Sequence, residues 1–208
     1  MRYPKLRELR EAVKALIQGP FTTKFPYVPH IPSKRFRGKP VPNSDECIGC
    51  GACAEVCPAG AIEVKDIIDS QNGNERQLVW HYDMCIFCAQ CERKCTTEKG
   101  VKLSNTEYDL ATLNRNELVS EPVKKELVLC DSCRNVIGTK EHILWIIKKL
   151  GPKVYGNIIT LNYLNNELKI VEEQKIEEVL PTTRRASLFK ILCPKCRHLI
   201  LVFDEFNK

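Results

Sequence analysis

Apolar residues recur at helical spacing at the start of the chain, at Leu6, Leu9, Val13, Leu16 and Ile17, with charges between them. This period predicts an amphipathic helix over residues 4–18, with Pro4 in its first turn and Gly19-Pro20 as its stop. Arg10 and Lys14 lie four apart and repel unless an acidic group faces them. Such a face either packs on the rest of the protein or docks on a partner. A helix this short cannot hold a membrane alone, so a partner subunit is the better reading. The periodicity then stops. Pro20, Pro26, Pro29, Pro32, Pro40 and Pro42 remove donors and favour extended backbone, so residues 20–44 predict an arm and no regular domain. Its Phe21, Phe25, Tyr27, Val28, Ile31 and Phe36 argue for an arm laid on a partner's surface over a solvated linker.

Beyond residue 45 the pattern turns to short β-type runs: Ile62 to Ile67, Leu78 to Tyr82 and Val101 to Ser104. Residues 69–76, with Asn72-Gly73, read as a turn. Residues 105–126 are polar and form a connector. Further on, Thr139 caps a predicted helix that runs to Leu150, with Lys148 and Lys149 in its last turn and Gly151-Pro152 after it. Asn157 to Leu164 and Glu167 to Val171 read as a β-hairpin around Asn165-Asn166. The longest apolar runs, Ile143 to Ile147 and Leu199 to Phe203, fall far short of the roughly 20 residues a membrane span needs. Met1 to Ile17 has no continuous apolar stretch of the export kind. An integral membrane protein and a secreted one are both outside this expectation.

Twelve cysteines occur in 208 residues. Without an export signal the expected compartment is reducing, where patterned cysteines mean metal and not disulfides. Eight of them form two runs, Cys47-Ile48-Gly49-Cys50-Gly51-Ala52-Cys53-Ala54-Glu55-Val56-Cys57-Pro58 and Cys85-Ile86-Phe87-Cys88-Ala89-Gln90-Cys91-Glu92-Arg93-Lys94-Cys95. Both have the spacing C-x2-C-x2-C-x3-C of bacterial two-cluster ferredoxins. Three thiolates two residues apart wrap one corner of a cubane, and small residues let amides point at sulfur. The fourth lies a helical turn further on and faces the other cluster. Carried over by position, Cys47, Cys50, Cys53 and Cys95 hold one 4Fe–4S cluster, and Cys85, Cys88, Cys91 and Cys57 hold the other. A single run of this kind is also compatible with zinc; two runs able to exchange fourth ligands favour iron–sulfur. Thr96 follows Cys95 where a proline is usual, which loosens the turn near one cluster. His81, between Trp80 and Tyr82, is a strand residue, with proton coupling as the lesser reading.

The remaining four, Cys130-Asp131-Ser132-Cys133 and Cys193-Pro194-Lys195-Cys196, form two CxxC knuckles. With β-type stretches at Leu127 to Leu129 and Leu199 to Phe203, they predict a zinc ribbon. Mononuclear iron and a redox dithiol are the alternatives. His198 competes as a ligand, but four thiolates already close a tetrahedron. The expected fold class is therefore α+β. It comprises a helix and Pro-rich arm (1–44), a pseudo-symmetric two-cluster ferredoxin fold (45–104), the connector (105–126) and a zinc-ribbon-like domain (127–208).

The formal net charge of +6 lies wholly in residues 1–46, which carry ten Lys or Arg and four Asp or Glu. Two clusters and one zinc, each about −2 with four thiolates, cancel it. A sequence pI near 8.7 therefore gives little support to nucleic-acid binding through Lys34, Arg35, Arg37 and Lys39.

These residues also carry a family resemblance. Phe36-Arg37-Gly38-Lys39-Pro40, the first cysteine run, Cys85-Ile86-Phe87-Cys88, Tyr108-Asp109-Leu110-Ala111 and the terminal CxxC pair resemble the two-cluster ferredoxin-like subunit of formate hydrogenlyase, from about residue 34 to about residue 200. The core is similar to the two-cluster subunit of respiratory complex I and of group 4 membrane-bound NiFe hydrogenases. The resemblance implies an electron-relay subunit with no catalytic residues of its own. It would lie peripherally on the cytoplasmic side of the membrane, and pass electrons to a one-cluster small subunit beside a catalytic large subunit. Its helix would rest near a membrane-embedded subunit, and a soluble ferredoxin or a formate dehydrogenase would be the donor. A nickel-free sulfur or quinone reductase would use the same relay. A free soluble ferredoxin would leave the arm and the C-terminal cysteines unexplained.

Overall fold

The computed structural model of the chain describes residues 5–22, 24–25, 27–28, 30–69, 73–106, 110–168 and 190–203. Pro4, the tip of the predicted turn at 70–72, Tyr108-Asp109 and residues 169–171 of the predicted hairpin lie outside them. The chain divides into two units, residues 1–36 and 37–208.

In the first unit the predicted helix forms as α1 (Leu6–Gln18). Glu8 in its first turn accepts the Lys5 backbone N–H at 3.3 Å, and Gly19, at φ 71°, donates to the Ala15 carbonyl. None of its residues is buried, and Leu6 and Leu16 are 86% and 84% exposed. Amphipathicity without burial leaves most of such a helix's stabilising area unused.

In the second unit the end of the Pro-rich segment departs from the arm expectation, because it forms strand β1 (Pro40–Pro42), paired antiparallel with β4 (Val101–Leu103). Proline is tolerated there because Pro40 and Pro42, two apart, share the side of the strand that makes no ladder donation. Asn43, on the other phase, donates to Gly100. The predicted Ile62 and Leu78 runs form a longer hairpin than their apolar cores, β2 (Ile62–Asp69) and β3 (Gly73–Trp80). Their register places Ile62 opposite Trp80 and narrows the 69–76 turn to its centre.

The hairpin does not end the sheet. β5 (Val123–Leu129) pairs antiparallel with β3, and β6 (Val136–Thr139) with β5, giving the order β2-β3-β5-β6. The C-terminal cysteine region is thus built onto the sheet of the first cysteine region. The pairing sets Glu75 against Glu126 and Arg76 against Lys125, like against like. Each is offset by opposite charges: Asp66 takes Arg76 in a bidentate pair at 2.7 and 2.8 Å and Glu141 lies 3.6 Å from Lys125, while Lys124 lies 3.5 Å from Glu75 and Lys140 3.9 Å from Glu126. Short helices α2 (Ala52–Glu55) and α3 (Gln90–Arg93) follow the two cysteine loops as the repeat requires. The core between them and the sheet contains Cys53, Ile62, Leu78, Trp80, Val101 and Val123.

Helix α4 (Lys140–Leu150) begins and ends where expected, but Thr139 does not cap it with its side chain. That hydroxyl donates instead to the Ile48 carbonyl in the first cysteine loop. The predicted β-hairpin at 157–171 is corrected: Ile158–Glu167 is helix α5. Asn157 supplies its N-cap, with Oδ1 accepting from Ile159 and Thr160 N–H groups. Its buried face is Thr160, Asn162 and Tyr163, not the apolar pair Ile158-Ile159, so apolar alternation misled. The buried polar groups are satisfied by carbonyls of Val154 and Asn157 for Thr160, and of Lys190 for Asn162. The β-type reading of Leu199 to Phe203 is likewise corrected, because Pro194–Phe203 is helix α6. Proline at its first position has no amide to lose there.

Candidate metal centres

Both cysteine loops take the same backbone path. Gly49 and Gly51, two and four residues after Cys47, are left-handed at φ 65° and 78°. Phe87 and Ala89, two and four after Cys85, are left-handed at φ 53° and 66°. The loop turns outward twice, which aims successive cysteines inward and delivers the third onto α2 or α3. The Gly49 and Phe87 amides donate to the Cys47 and Cys85 sulfurs, both at 3.4 Å.

The glycine at 49 has a second cause. A Cβ there would lie 2.9 Å from the Thr139 methyl and 3.0 Å from the Lys125 side chain, whereas one at Gly51 would meet nothing within 4 Å. The first loop is covered by β5 and β6. Left-handed backbone costs a non-glycine residue about 1 kcal/mol or more. Accordingly Ala89→Gly is expected to raise stability by up to about 1 kcal/mol and Gly51→Ala to lower it by about that much. Gly49→Ala should cost more than Gly51→Ala. Anaerobic thermal unfolding of the metal-loaded protein gives the order.

The structure brings the eight cysteines of the runs together in two sets of four. One cavity is lined by Cys47, Cys50, Cys53 and Cys95, the other by Cys57, Cys85, Cys88 and Cys91. The last cysteine of each run lies in the cavity of the other. Trp80 lines both cavities.

Three observations bear on what fits these cavities. Burial, with neighbouring thiols adding to it, pushes the Cys53 thiol up to about 12. Burial likewise pushes Cys91 up to about 11, although an amide from Glu92 opposes it. Such groups lose their protons at neutral pH only to a metal. Trp80 is 2% exposed, yet its indole Nε1–H has no acceptor among the described residues. A sulfur-rich group in either cavity would supply one. Hydroxyls also reach the sulfurs: Thr96 Oγ1 lies 3.2 Å from Cys50 Sγ and Thr97 Oγ1 3.5 Å from Cys95 Sγ. The donor set and the unfilled hydrogen bond fit iron–sulfur groups.

Cations brace both loops through their carbonyls. Arg76 donates to Gly49 O at 3.2 Å, and Arg37 and Arg93 donate to Cys88 O at 3.4 and 3.0 Å. Arg37 stands out in the sequence only within the family motif and as a phosphate candidate, and Arg76 carries no signal there because its role depends on sheet register. His81 follows β3 and makes an isolated antiparallel bridge with Val119, lies 3.4 Å from Glu63 through Nε2, and lines the second cavity without belonging to the sulfur set.

The sulfurs of Cys130, Cys133, Cys193 and Cys196 all lie within 4.8 Å of one another. Four sulfurs at about 2.3 Å from one tetrahedral ion stand about 3.8 Å apart, so one ion fits with little movement. The Cys193 and Cys196 amides donate to Cys130 Sγ and Cys193 Sγ at 3.3 and 3.5 Å. Asp131 staples the two knuckles: its N–H donates to Ile191 O at 2.9 Å and its carboxylate accepts the Ile191 N–H at 2.6 Å. Sequence reading passed over Asp131, which stands between two ligands and looks like a spacer. His198 is exposed on α6 and is not among the four ligating atoms.

The fold and its cysteine cavities define a two-cluster iron–sulfur protein, and comparison with known proteins agrees. The 4Fe-4S dicluster domain family matches residues 46–99. Formate hydrogenlyase subunit 6 of Escherichia coli is 34% identical over 138 residues, which is 66% of this chain and 73% of that one. NADH-quinone oxidoreductase subunit I 2 of Geobacter metallireducens is 30% identical over 56% of this chain and 91% of its own. The NAD(P)H-quinone oxidoreductase subunit I of Gloeobacter violaceus is 33% identical over 54% of this chain, and the match spans 59% of that relative. A chain of the membrane-bound sulfane sulfur reductase, an archaeal respiratory membrane complex, aligns with a TM-score of 0.40 at 30% identity, covering 57% of this chain and 61% of that one. The chain belongs to the family of complex I subunit I and formate hydrogenlyase subunit 6, whose members are iron–sulfur electron-transfer subunits and not standalone enzymes. Among the described residues no helix is long and apolar enough to cross a membrane.

Proposed function

We propose that this chain is the electron-relay subunit of a membrane-bound, complex I-related oxidoreductase of the hydrogenase or formate hydrogenlyase type. Cys47, Cys50, Cys53 and Cys95 would hold one 4Fe–4S cluster, and Cys57, Cys85, Cys88 and Cys91 the other. When bound, each supplies one-electron transfer without a proton. Cys130, Cys133, Cys193 and Cys196 would hold a structural zinc ion in a zinc-ribbon-like arrangement. The observation that carries the relay is the pair of cavities, each completed by a cysteine of the opposite run and both walled by Trp80. Two one-electron sites sharing a wall suit transit, and the chain's own residues supply position, amide hydrogen bonds and insulation.

The partners follow from family and exposure. Residues 1–44 would dock the chain on neighbouring subunits, with the open face of α1 and exposed Phe21 and Tyr27 as contacts. A one-cluster small subunit, a catalytic large subunit and a membrane-embedded subunit are the expected neighbours, on the cytoplasmic side of the membrane. A soluble ferredoxin or a formate dehydrogenase is the expected donor. Nucleic acid has no part in this reading.

Anaerobic purification of the tagged chain from detergent-solubilised membranes, with metal analysis, tests it. Co-purifying subunits with nickel, iron and zinc are expected. A nickel-free complex would move the chemistry to a sulfur or quinone reductase and keep the relay. A lone chain carrying about eight irons would overturn the subunit reading.

A further inference from the structure

We propose that Thr96 and Thr97 raise the reduction potential of the cluster held by Cys47, Cys50, Cys53 and Cys95, by donating hydroxyl hydrogen bonds to two of its four thiolates. The proposal rests on the ligand sets given above. Thr96 Oγ1 is 3.2 Å from Cys50 Sγ, and Thr97 Oγ1 is 3.5 Å from Cys95 Sγ. An iron-bound thiolate carries no proton, so the hydroxyl is the donor in each pair. Thr97 is oriented for this, because its oxygen already accepts the Gly100 N–H at 3.0 Å and its own proton remains for sulfur.

The two halves of the repeat share much of their remaining pattern, although Cys57 of the other set also accepts the Ala61 amide at 3.3 Å. Each first cysteine accepts an amide at 3.4 Å, from Gly49 in one loop and Phe87 in the other. Each loop has a carbonyl held by arginine, Gly49 O by Arg76 and Cys88 O by Arg37 and Arg93. At the positions equivalent to Thr96 and Thr97 the first run has Pro58 and Ala59, which carry no hydroxyl. The threonines break the symmetry, and they do so on one cluster alone.

The sign follows from charge. Adding one electron takes an oxidised cluster with four thiolates from about −2 to about −3, and no proton moves. Hydrogen-bond donors stabilise the more negative state more, so they raise the potential and their removal lowers it. The cluster of Cys47, Cys50, Cys53 and Cys95 is thereby easier to reduce than it would be without the two hydroxyls.

The experiment is an anaerobic redox titration of the intact complex, followed by EPR, with iron counted per chain. Thr96→Val keeps the side-chain shape and removes the hydroxyl. The expected result is about a tenfold loss in the reduction equilibrium of one cluster, a fall of about 59 mV for one electron, with the other cluster unmoved. Thr96→Ser should restore the original value, which a packing role alone would not. Thr97→Ala carries the same expectation independently should Thr96→Val fail to load iron. Two loaded clusters with unchanged potentials, or potentials that fall equally, would overturn the proposal and leave the ligand reading intact. Wild-type complex without two 4Fe–4S signals from this chain would overturn both.

Discussion

Replacing Cys95 by alanine is expected to abolish the cluster of the first cysteine run and spare that of the second, although Cys95 belongs to the second. Iron should fall from about eight to about four per chain, and one of two EPR signals should vanish. The reason is geometric: Cys95 lines a cavity with Cys47, Cys50 and Cys53, and the cavity of Cys85, Cys88 and Cys91 is completed by Cys57. Loss of the fourth thiolate leaves Cys53 buried among Leu78, Trp80 and Val101 with a thiol already pushed up to about 12, chiefly by burial, so it reprotonates. Single variants alone do not distinguish exchanged from local ligation, since each removes about four irons in both schemes. Pairs do. Cys47→Ala with Cys95→Ala should lose no more iron than either alone, whereas Cys85→Ala with Cys95→Ala should lose all of it. The reverse result would place each cluster within its own run.

The grouping of the cysteines around the two cavities was legible because it depends on the spacing of two matched runs. Two runs of the same C-x2-C-x2-C-x3-C spacing are the two-cluster ferredoxin pattern, in which the last cysteine of each run serves the other set, and Cys57 and Cys95 stand just past the ends of α2 and α3. The first helix and α4 were legible for the same reason, since period and stop signals are local. What failed depended on partners remote in sequence. Asn157 to Leu164 alternates well enough for a strand, and only the N-cap at Asn157 and the carbonyls waiting for Thr160 and Asn162 make it a helix. Leu199 to Phe203 reads as a strand by composition, but Pro194 starts a helix that the run continues. The joining of β5 to β3 leaves no pattern in either strand. Its consequences, Arg76 at Gly49 O, Lys125 against Gly49 and Thr139 on Ile48 O, were therefore invisible.

That last set of contacts ties the C-terminal cysteines to the first cluster loop, and Cys193→Ser is expected to expose the tie. The variant should lose the zinc ion proposed for that site, with iron near eight per chain retained. A structural zinc ion contributes on the order of 10 kcal/mol to folding, far more than any other group in the C-terminal region. Cys193 is buried with Cys130 and Leu192, and the two knuckles are otherwise stapled through Asp131 and Ile191. Without the ion, residues 190–203 should lose their seat, and α4 and α5 with them, because Ile191 packs with Ile143 and Tyr163. Amide exchange should rise across Val136–Leu150 and then at Ile48 and Gly49, where Thr139 holds the loop. Among the described residues, the hydrogen bonds of the loop around Cys85 to Cys91 run to Arg37 and Arg93 and not to β6, so it should stay protected. Equal loosening of both loops would mean that the ion stabilises the sheet as a whole. Unchanged exchange at Ile48 would mean that β5 alone keeps the first loop covered.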